Sequence, residues 1–261
     1  MMKSIFMHYH SREEITALAN NGAAIVVPLA ATEQHGPHLP VFTDSLICEH
    51  IVTEAVKQAS AAVPILMTPI LTVGCSQHHL SFGGTLSFSS ATYLSMLRDL
   101  GESLVTDGFK KIIFVNTHGG NDPIMTQTVN DLAVRHPIWT ASASYWSVSR
   151  AALSRTDAAD VAMVPGHAGL FETAAVMAIK PELVRNELLG STHAKREWIN
   201  SGPAGSFIGK HGELTGADGY TDAPHGATAE AGKRWLDVIS QSVAAWLIAT
   251  VNAMNQGGEC E

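Results

Sequence analysis

Ala24-Ile25-Val26-Val27-Pro28-Leu29-Ala30, running directly into Ala31-Thr32-Glu33-Gln34-His35-Gly36-Pro37-His38-Leu39-Pro40-Val41-Phe42-Thr43-Asp44, decides how the chain is read. An unbroken apolar run of this length without polar alternation predicts a strand buried on both faces, as in a parallel sheet. Working outward, Ile65 to Pro69, Lys111 to Asn116 and Ile138 to Ser144 read as strands of the same kind. Helical patterns run between and after them, over Ser45 to Ser60, Ala91 to Asp107, Pro123 to Arg135, Ala168 to Ile179 and Ala227 to Met254. Alternating strands and helices predict an α/β protein, a mostly parallel sheet between helical layers. With 261 residues and no repeat, charge block or linker, one domain spanning 1–261 is expected.

Composition narrows the function. Lys and Arg number 16 against 24 Asp and Glu, a formal charge of -8, which argues against a nucleic-acid partner. The N-terminus lacks an apolar signal core, and the apolar stretches Gly22 to Ala31 and Ser242 to Val251 are about half the ~20 residues a membrane span needs. No membrane association is expected. Cys48, Cys75 and Cys260 are few, odd in number and widely spaced, which fits free thiols in a cytoplasmic protein. The unusual count is 13 histidines. Histidine is the commonest metal ligand and the usual acid or base near neutral pH.

Ligands in open α/β sheets bind where strands end, so the segments leaving the strands are the places to search. The first, from Glu33 to Asp44, packs two carboxylates and an imidazole into 12 residues, with Gly36, Pro37 and Pro40 folding the backbone back on itself. That composition suits a metal. A purely structural alternative has Asp44 or Thr43 capping the next helix while Glu33 and His35 are solvated. The second, Thr117-His118-Gly119-Gly120-Asn121-Asp122, puts a histidine directly after a buried strand, placed for ligation or catalysis. Here the alternative is a turn with Asn121 or Asp122 as the helix N-cap and Pro123 at the first helical position. In the third, Glu172 sits on an apolar helix and, if buried, must be paired or bound to a cation. The fourth, Gly74 to Thr85, is rich in small and polar side chains and reads as a substrate-contacting loop. Gly202 to Gly232 holds eight glycines and reads as a long ordered loop over the site or at a subunit contact. Dinucleotide, Walker A, nucleophile-elbow and His-Glu-x-x-His motifs are missing, and Gly205 to His211 is a P-loop only in outline.

Taken together, Glu33-x-His35-Gly36-x-His38-Leu39-Pro40 with Asp44, Asn116-x-His118-Gly119-Gly120-Asn121, and Gly166-His167-Ala168-Gly169-x-x-Glu172-Thr173 resemble the creatininase family. Gly74-x-Ser76-x-x-His79-x-x-Phe82-x-Gly84-Thr85 and Ala227-Thr228-Ala229-Glu230-x-Gly232 are similar to family segments too. The resemblance implies a three-layer α/β/α sandwich holding two divalent metal ions, zinc with manganese or iron, in a homo-oligomer that is often a hexamer. It implies hydrolysis of C–N bonds in small cyclic or linear amides. By position, Glu33 and His118 would hold one metal, His35 and Glu172 the other, with Asp44 bridging. His167 would act near the substrate as proton donor or orienter, and Ser76, His79, Gly119 and Gly120 would contact it. Creatinine-cleaving members carry tyrosine and glutamate where this chain has Gly119 and Gly120, and a tryptophan where it has the Met163-Val164 stretch. A cyclic amide, formamide or related amide other than creatinine is therefore expected.

The chemistry supports that set. Two cations share the charge of Glu33, Asp44 and Glu172, which would otherwise repel, and a water between them loses its proton near neutral pH while a metal polarises the carbonyl. Alternatives are the same site cleaving a lactone or the C–C bond of a cyclic ketone, a metal-independent triad built on Ser76 and a histidine, and a non-catalytic metal-binding protein of this fold. His38 is expected in a supporting role, and His78 as one of the surface or structural histidines.

Overall fold

The computed structural model describes residues 4–158, 162–190, 208 and 219–258. Four strands, β1 (Ala24–Leu29), β2 (Ile65–Met67), β3 (Lys111–Asn116) and β4 (Trp139–Ser144), form one sheet in the order β2-β1-β3-β4. Every pairing is parallel, with Ala24 beside Ile65, Ile25 beside Ile112 and Lys111 beside Trp139. Seven described helices surround it: α1 (Arg12–Asn20), α2 (Thr43–Ala59), α3 (Ser90–Thr106), α4 (Asp122–Arg135), α5 (Tyr145–Leu153), α6 (Leu170–Ile179) and α7 (Ala229–Gln256).

Side chains alternate across a strand, so the buried run of β1 feeds two cores at once. Ala24 and Val26 join Ile113, Val115 and the inner faces of α2, α5, α6 and α7 in one core. Ile25, Val27 and Leu29 join Ile112, Phe114 and the inner faces of α1, α3 and α4 in the other. This is the expected three-layer α/β/α sandwich. Strand β4 departs from the reading: five of its six residues are only half-buried at its end of the sheet, whereas β2 at the other end is flanked by Phe6, bridged to Met67, and stays buried.

Local signals explain most boundaries. Ser11 and Glu14 form a reciprocal capping box that starts α1. Ser89 accepts from Thr92 N at the start of α3, and Thr228 from Ala231 N at the start of α7. Helix α2 begins at Thr43, two residues before the expected Ser45, so Asp44 lies inside the first turn rather than capping it. The last helix is 28 residues long with a mean hydropathy of 1.3 over its most apolar stretch, sufficient by length and composition to cross a membrane. Its Trp235, Leu236, Ile239, Val243, Leu247 and Val251 are instead buried in the first core, at the 3-to-4-residue spacing of a helix face. Of the glycine-rich stretch expected as a long loop, residues 202–207 and 209–218 lie outside the described residues, and Ala229 to Gly232 already belong to α7.

Crossovers carry the chain from β1 to β2 through α2 on one face, then over β1 to β3 through α3 on the other. The chain thus changes winding direction between β1 and β3. Such a point opens a crevice at the carboxyl ends of the two strands.

Candidate metal centre

Leu29 and Asn116 pair at that crevice. Glu33 and His35 lie in the loop leaving β1, Asp44 in the first turn of α2, His118 two residues beyond β3, and Glu172 in the first turn of α6. All five are buried, none more than 4% exposed. His118 Nδ1 lies 3.1 Å from Glu33 Oε1 and 3.4 Å from Asp44 Oδ2. His35 Nε2 lies 3.5 Å from both Asp44 Oδ1 and Glu172 Oε2. Asp44 therefore turns one carboxylate oxygen toward each imidazole. This early first-turn position also suits its charge to the positive end of the helix dipole.

The opposite edge of each ring is tied down. His35 Nδ1–H donates to the Glu33 carbonyl at 3.0 Å, and His118 Nε2–H donates to the Cys75 carbonyl at 3.1 Å, with Ser76 Oγ 3.3 Å away. These bonds engage one nitrogen of each ring and leave His35 Nε2 and His118 Nδ1 turned to the carboxylates, where loss of a proton would free a lone pair for a metal, an arrangement typical of metal-ligating histidines. Meanwhile Glu33 Oε2, His35 Nε2 and Asp44 Oδ2 are buried without a hydrogen bond. Buried polar atoms are normally satisfied, so three orphans converging on one spot fit a cation. The donor set, oxygen and nitrogen without thiolate, suits a divalent ion. Glu33, His35 and Asp44 form one group whose ligating atoms all lie within 4.8 Å, and His35, His167 and Glu172 another.

Charge within the metal-free cluster says the same. Burial resists ionisation of Glu33 and Asp44, yet facing imidazoles, His118 first for Glu33 and His35 first for Asp44, hold both carboxyls below their usual range. For Glu172 burial wins and pushes its carboxyl up, against the pull of His35. Despite burial, His35 and His118 are raised well above the ordinary histidine value by Asp44 and Glu172, and by Glu33 and Asp44 respectively. Protonated imidazoles thus stand in for cations, and a metal taking their place displaces protons.

Gln34, which the sequence did not single out, organises the outer wall. Its Nε2 donates to the Gly219 carbonyl at 2.9 Å and to His79 Nδ1 at 2.7 Å, while its Oε1 accepts from Gly36 N. His79 is left with its Nε2 proton 3.4 Å from Glu33 Oε1. His167 Nε2–H donates to the Gln34 carbonyl at 2.9 Å, so its Nδ1, 3.6 Å from Glu33 Oε1, is free. Burial, aided by the facing His35 and His79, holds His167 well below its usual value. Ala168 adopts a left-handed φ of 50° and aims its N–H at Glu172 Oε2, 2.5 Å away.

The expected substrate-contacting residues divide by environment. Ser76 is fully buried behind His118, and His79 is buried against Glu33. Space beside Gly119 is open, whereas a Cβ on Gly120 would stand 2.1 Å from the Cys75 carbonyl oxygen. Glycine at 120 is required for that close approach. Asn121 does not cap α4 through its side chain; it accepts from Cys75 N and donates to the Ala30 carbonyl, stitching the loops together. His78, expected to be a surface or structural residue, is placed here too: its ring stacks on His118 at 5.9 Å and lies 4.2 Å from the His79 ring. The adjacent histidine pair was its sequence signal.

His38 sits outside the cluster, with Nε2 3.0 Å from Thr173 Oγ1. Burial lowers its imidazole to about 4. In the unfolded chain it returns to the ordinary value near 6.5, so below that pH the unfolded state takes up a proton the fold refuses. Stability present above pH ~6.5 is thus lost as pH falls toward about 4. The variant His38→Gln is expected to flatten this decline by up to about one proton in urea titrations between pH 7 and 4.5. An unchanged slope would refute the assignment.

Known proteins share this architecture. The creatininase sequence pattern, described as creatinine amidohydrolase, matches residues 8–247. Over 183 residues the chain is 30% identical to the mycofactocin precursor peptide peptidase of Mycobacterium tuberculosis (strain ATCC 25618 / H37Rv), covering 65% of this chain and 64% of that protein. The chain thus spans slightly less than two thirds of that relative's length. It is 26% identical over 205 residues to the creatinine amidohydrolase of Pseudomonas putida, covering 70% of this chain and 75% of that one. A crystal structure of a creatinine amidohydrolase superposes with a TM-score of 0.75 at 25% identity, over 94% of this chain and 97% of that chain. Matched by that pattern over residues 8–247 and folded as those relatives are, the chain belongs to the creatininase family.

Proposed function

We propose that the chain is a dimetal hydrolase cleaving a C–N bond of a small cyclic amide, formamide or related amide other than creatinine. The observation carrying this reading is the convergence of orphaned Glu33 Oε2, His35 Nε2 and Asp44 Oδ2 in a buried cluster at the switch point. Two divalent ions, zinc with manganese or iron, would supply Lewis acidity toward an amide carbonyl and bring the pKa of a water into the neutral range. Glu33 and His118 would hold one and His35 and Glu172 the other, with Asp44 turning one oxygen toward each histidine.

His167 is neutral and has a free Nδ1 facing the cluster, so it accepts a proton from the attacking water and returns it to the leaving nitrogen. Gln34 holds both His167 and His79 in place. The open side of Gly119 leaves room for substrate. Glycine at 119 and 120, with no space for a side chain at 120, sets creatinine aside. A cytoplasmic homo-oligomer, a hexamer by resemblance, belongs to the same reading.

The test is a metal-supplemented panel of cyclic amides, formamides, short peptides, lactones and cyclic ketones. Turnover of an amide that chelation abolishes and Zn²⁺ or Mn²⁺ restores is expected; turnover indifferent to chelator, or confined to lactones and ketones, sinks the proposal. On the amide so found, His167→Ala should lower kcat by roughly 10² to 10⁴ while metal content stays full. Loss of metal in that variant would make His167 a ligand instead.

A further inference from the structure

An ion between Glu33, His118 and one oxygen of Asp44 would have three protein groups facing it, and the loop after β3 would offer no fourth, because Gly120 has no side chain and is pressed against the Cys75 carbonyl. The fourth wall of that position is the 3-10 turn Gln77–Phe82. Three facts single out His78 on this turn. A ring nitrogen of His78, Nδ1 of His118 or its partner nitrogen, and a Glu33 oxygen lie within 4.8 Å of one another, close enough to share one ion. Its ring stacks on that of His118, with centroids 5.9 Å apart and planes at 11°, so the two imidazoles border the same part of the cluster. Among the described residues it makes ring contacts with His79 and His118 and no hydrogen bond, unlike His79, which Gln34 and Glu33 already engage. A half-buried imidazole packed against a carboxylate cluster without a hydrogen-bonding partner has its donor capacity unspent.

We propose that His78 is a protein ligand of the ion held by Glu33 and His118, completing its donor set with a second imidazole. This rests on the dimetal reading above and assigns a ligand that reading lacks. A site with Glu33, Asp44, His78 and His118 has two oxygen and two nitrogen donor groups, a mixture suited to zinc, manganese or iron. The site beside it would take His35 as its one imidazole ligand with Asp44 and Glu172, because His167, which also borders His35 and Glu172, is the proton carrier in the reading above. The two ions would therefore differ in affinity, the nitrogen-richer site favouring zinc more strongly.

The measurement is competitive Zn²⁺ titration of metal-depleted protein against a chromophoric chelator, together with the visible spectrum of the Co²⁺-loaded form. Wild type should bind two ions. His78→Ala should bind one as wild type does and the other at least tenfold more weakly, with a changed Co²⁺ spectrum. His78→Asp, which restores a donor, should recover most of the affinity. His50→Ala on the outer part of α2 should match wild type. Two ions bound in His78→Ala with unchanged affinities and spectrum would overturn the proposal while leaving the dimetal reading intact. A wild-type protein that binds no Zn²⁺ would instead overturn both. If His78→Ala lost both ions, failure of His78→Asp to restore either would show a structural role and reject ligation.

Discussion

Asp44→Asn should reduce the metal content from two ions per chain to one or none and lower amide turnover by at least about a thousandfold. Asp44 is the one carboxylate with an oxygen turned toward each half of the cluster, Oδ1 toward His35 and Oδ2 toward His118. Asparagine keeps the shape and removes the charge, replacing one oxygen with an amide group that cannot ligate through nitrogen. The loss follows because Lewis-acid assistance is worth several kcal/mol of transition-state stabilisation, and ~4 kcal/mol corresponds to about three decades in rate. Helix α2 should persist, since the Asp44 backbone carbonyl still accepts from Thr117 Oγ1 and the rest of the helix is packed in the first core. Metal analysis and circular dichroism on the purified variant check both halves. Full metal content with wild-type turnover would remove Asp44 from the centre.

Gly232→Ala should cost about 3 kcal/mol or more, the upper part of the range for overpacking. A methyl group there would stand 1.9 Å from the Ala174 carbonyl oxygen and 2.3 Å from its carbon. Both belong to the backbone of α6, so no side chain can rotate away. In a chain of this size each kcal/mol lowers Tm by roughly 2 to 4 °C, giving a fall near 10 °C. Because α6 also carries Glu172, forcing the two helices apart should weaken the ion beside His35 more than the one beside His118. Thermal unfolding with and without Zn²⁺ reads both effects, and an unchanged Tm would show that the helices are not in such close contact.

Particular residues show what the sequence could and could not reveal. Strand β1 and its ligand loop were legible because burial on both faces forces a continuous apolar run, and the polar residues that follow have nowhere to go but the strand end. His35 and Asp44 from the segment leaving β1, His118 from the one leaving β3 and Glu172 from the apolar helix after Gly169 are brought together. Helix α1 was not anticipated, although Ser11 and Glu14 spell out its capping box. Helix α5 was hidden because it follows β4 without a loop: Ser144 ends the strand and occupies the N-cap position, its hydroxyl bonded to Asp122 instead of to the helix. Gln34 was overlooked because an amide has no titration or ligand signature; its role exists only through contacts with Gly219, His79 and His167, up to 185 residues away. The position of His78 beside the cluster was not legible, because spacing cannot show that a tight 3-10 turn lets the rings of His78 and His79 both border it.

The order in which the donors occur along the chain has a consequence for biogenesis. Glu33, His35 and Asp44 are synthesised within 12 residues of one another, whereas Glu172 follows Asp44 by 128 residues. A ribosome-bound chain that has completed all four strands, ending at Ser144, still lacks the last carboxylate. On the proposed dimetal reading, the position formed by His35, Asp44 and Glu172 is incomplete in such a chain and would retain its ion tightly only after α6 docks, whereas Glu33, Asp44, His78 and His118 are already present. Under that reading, filling of the Glu172 position would be a closing step of maturation, and chains made without the ion should keep the sheet assembled and the α6 corner loose.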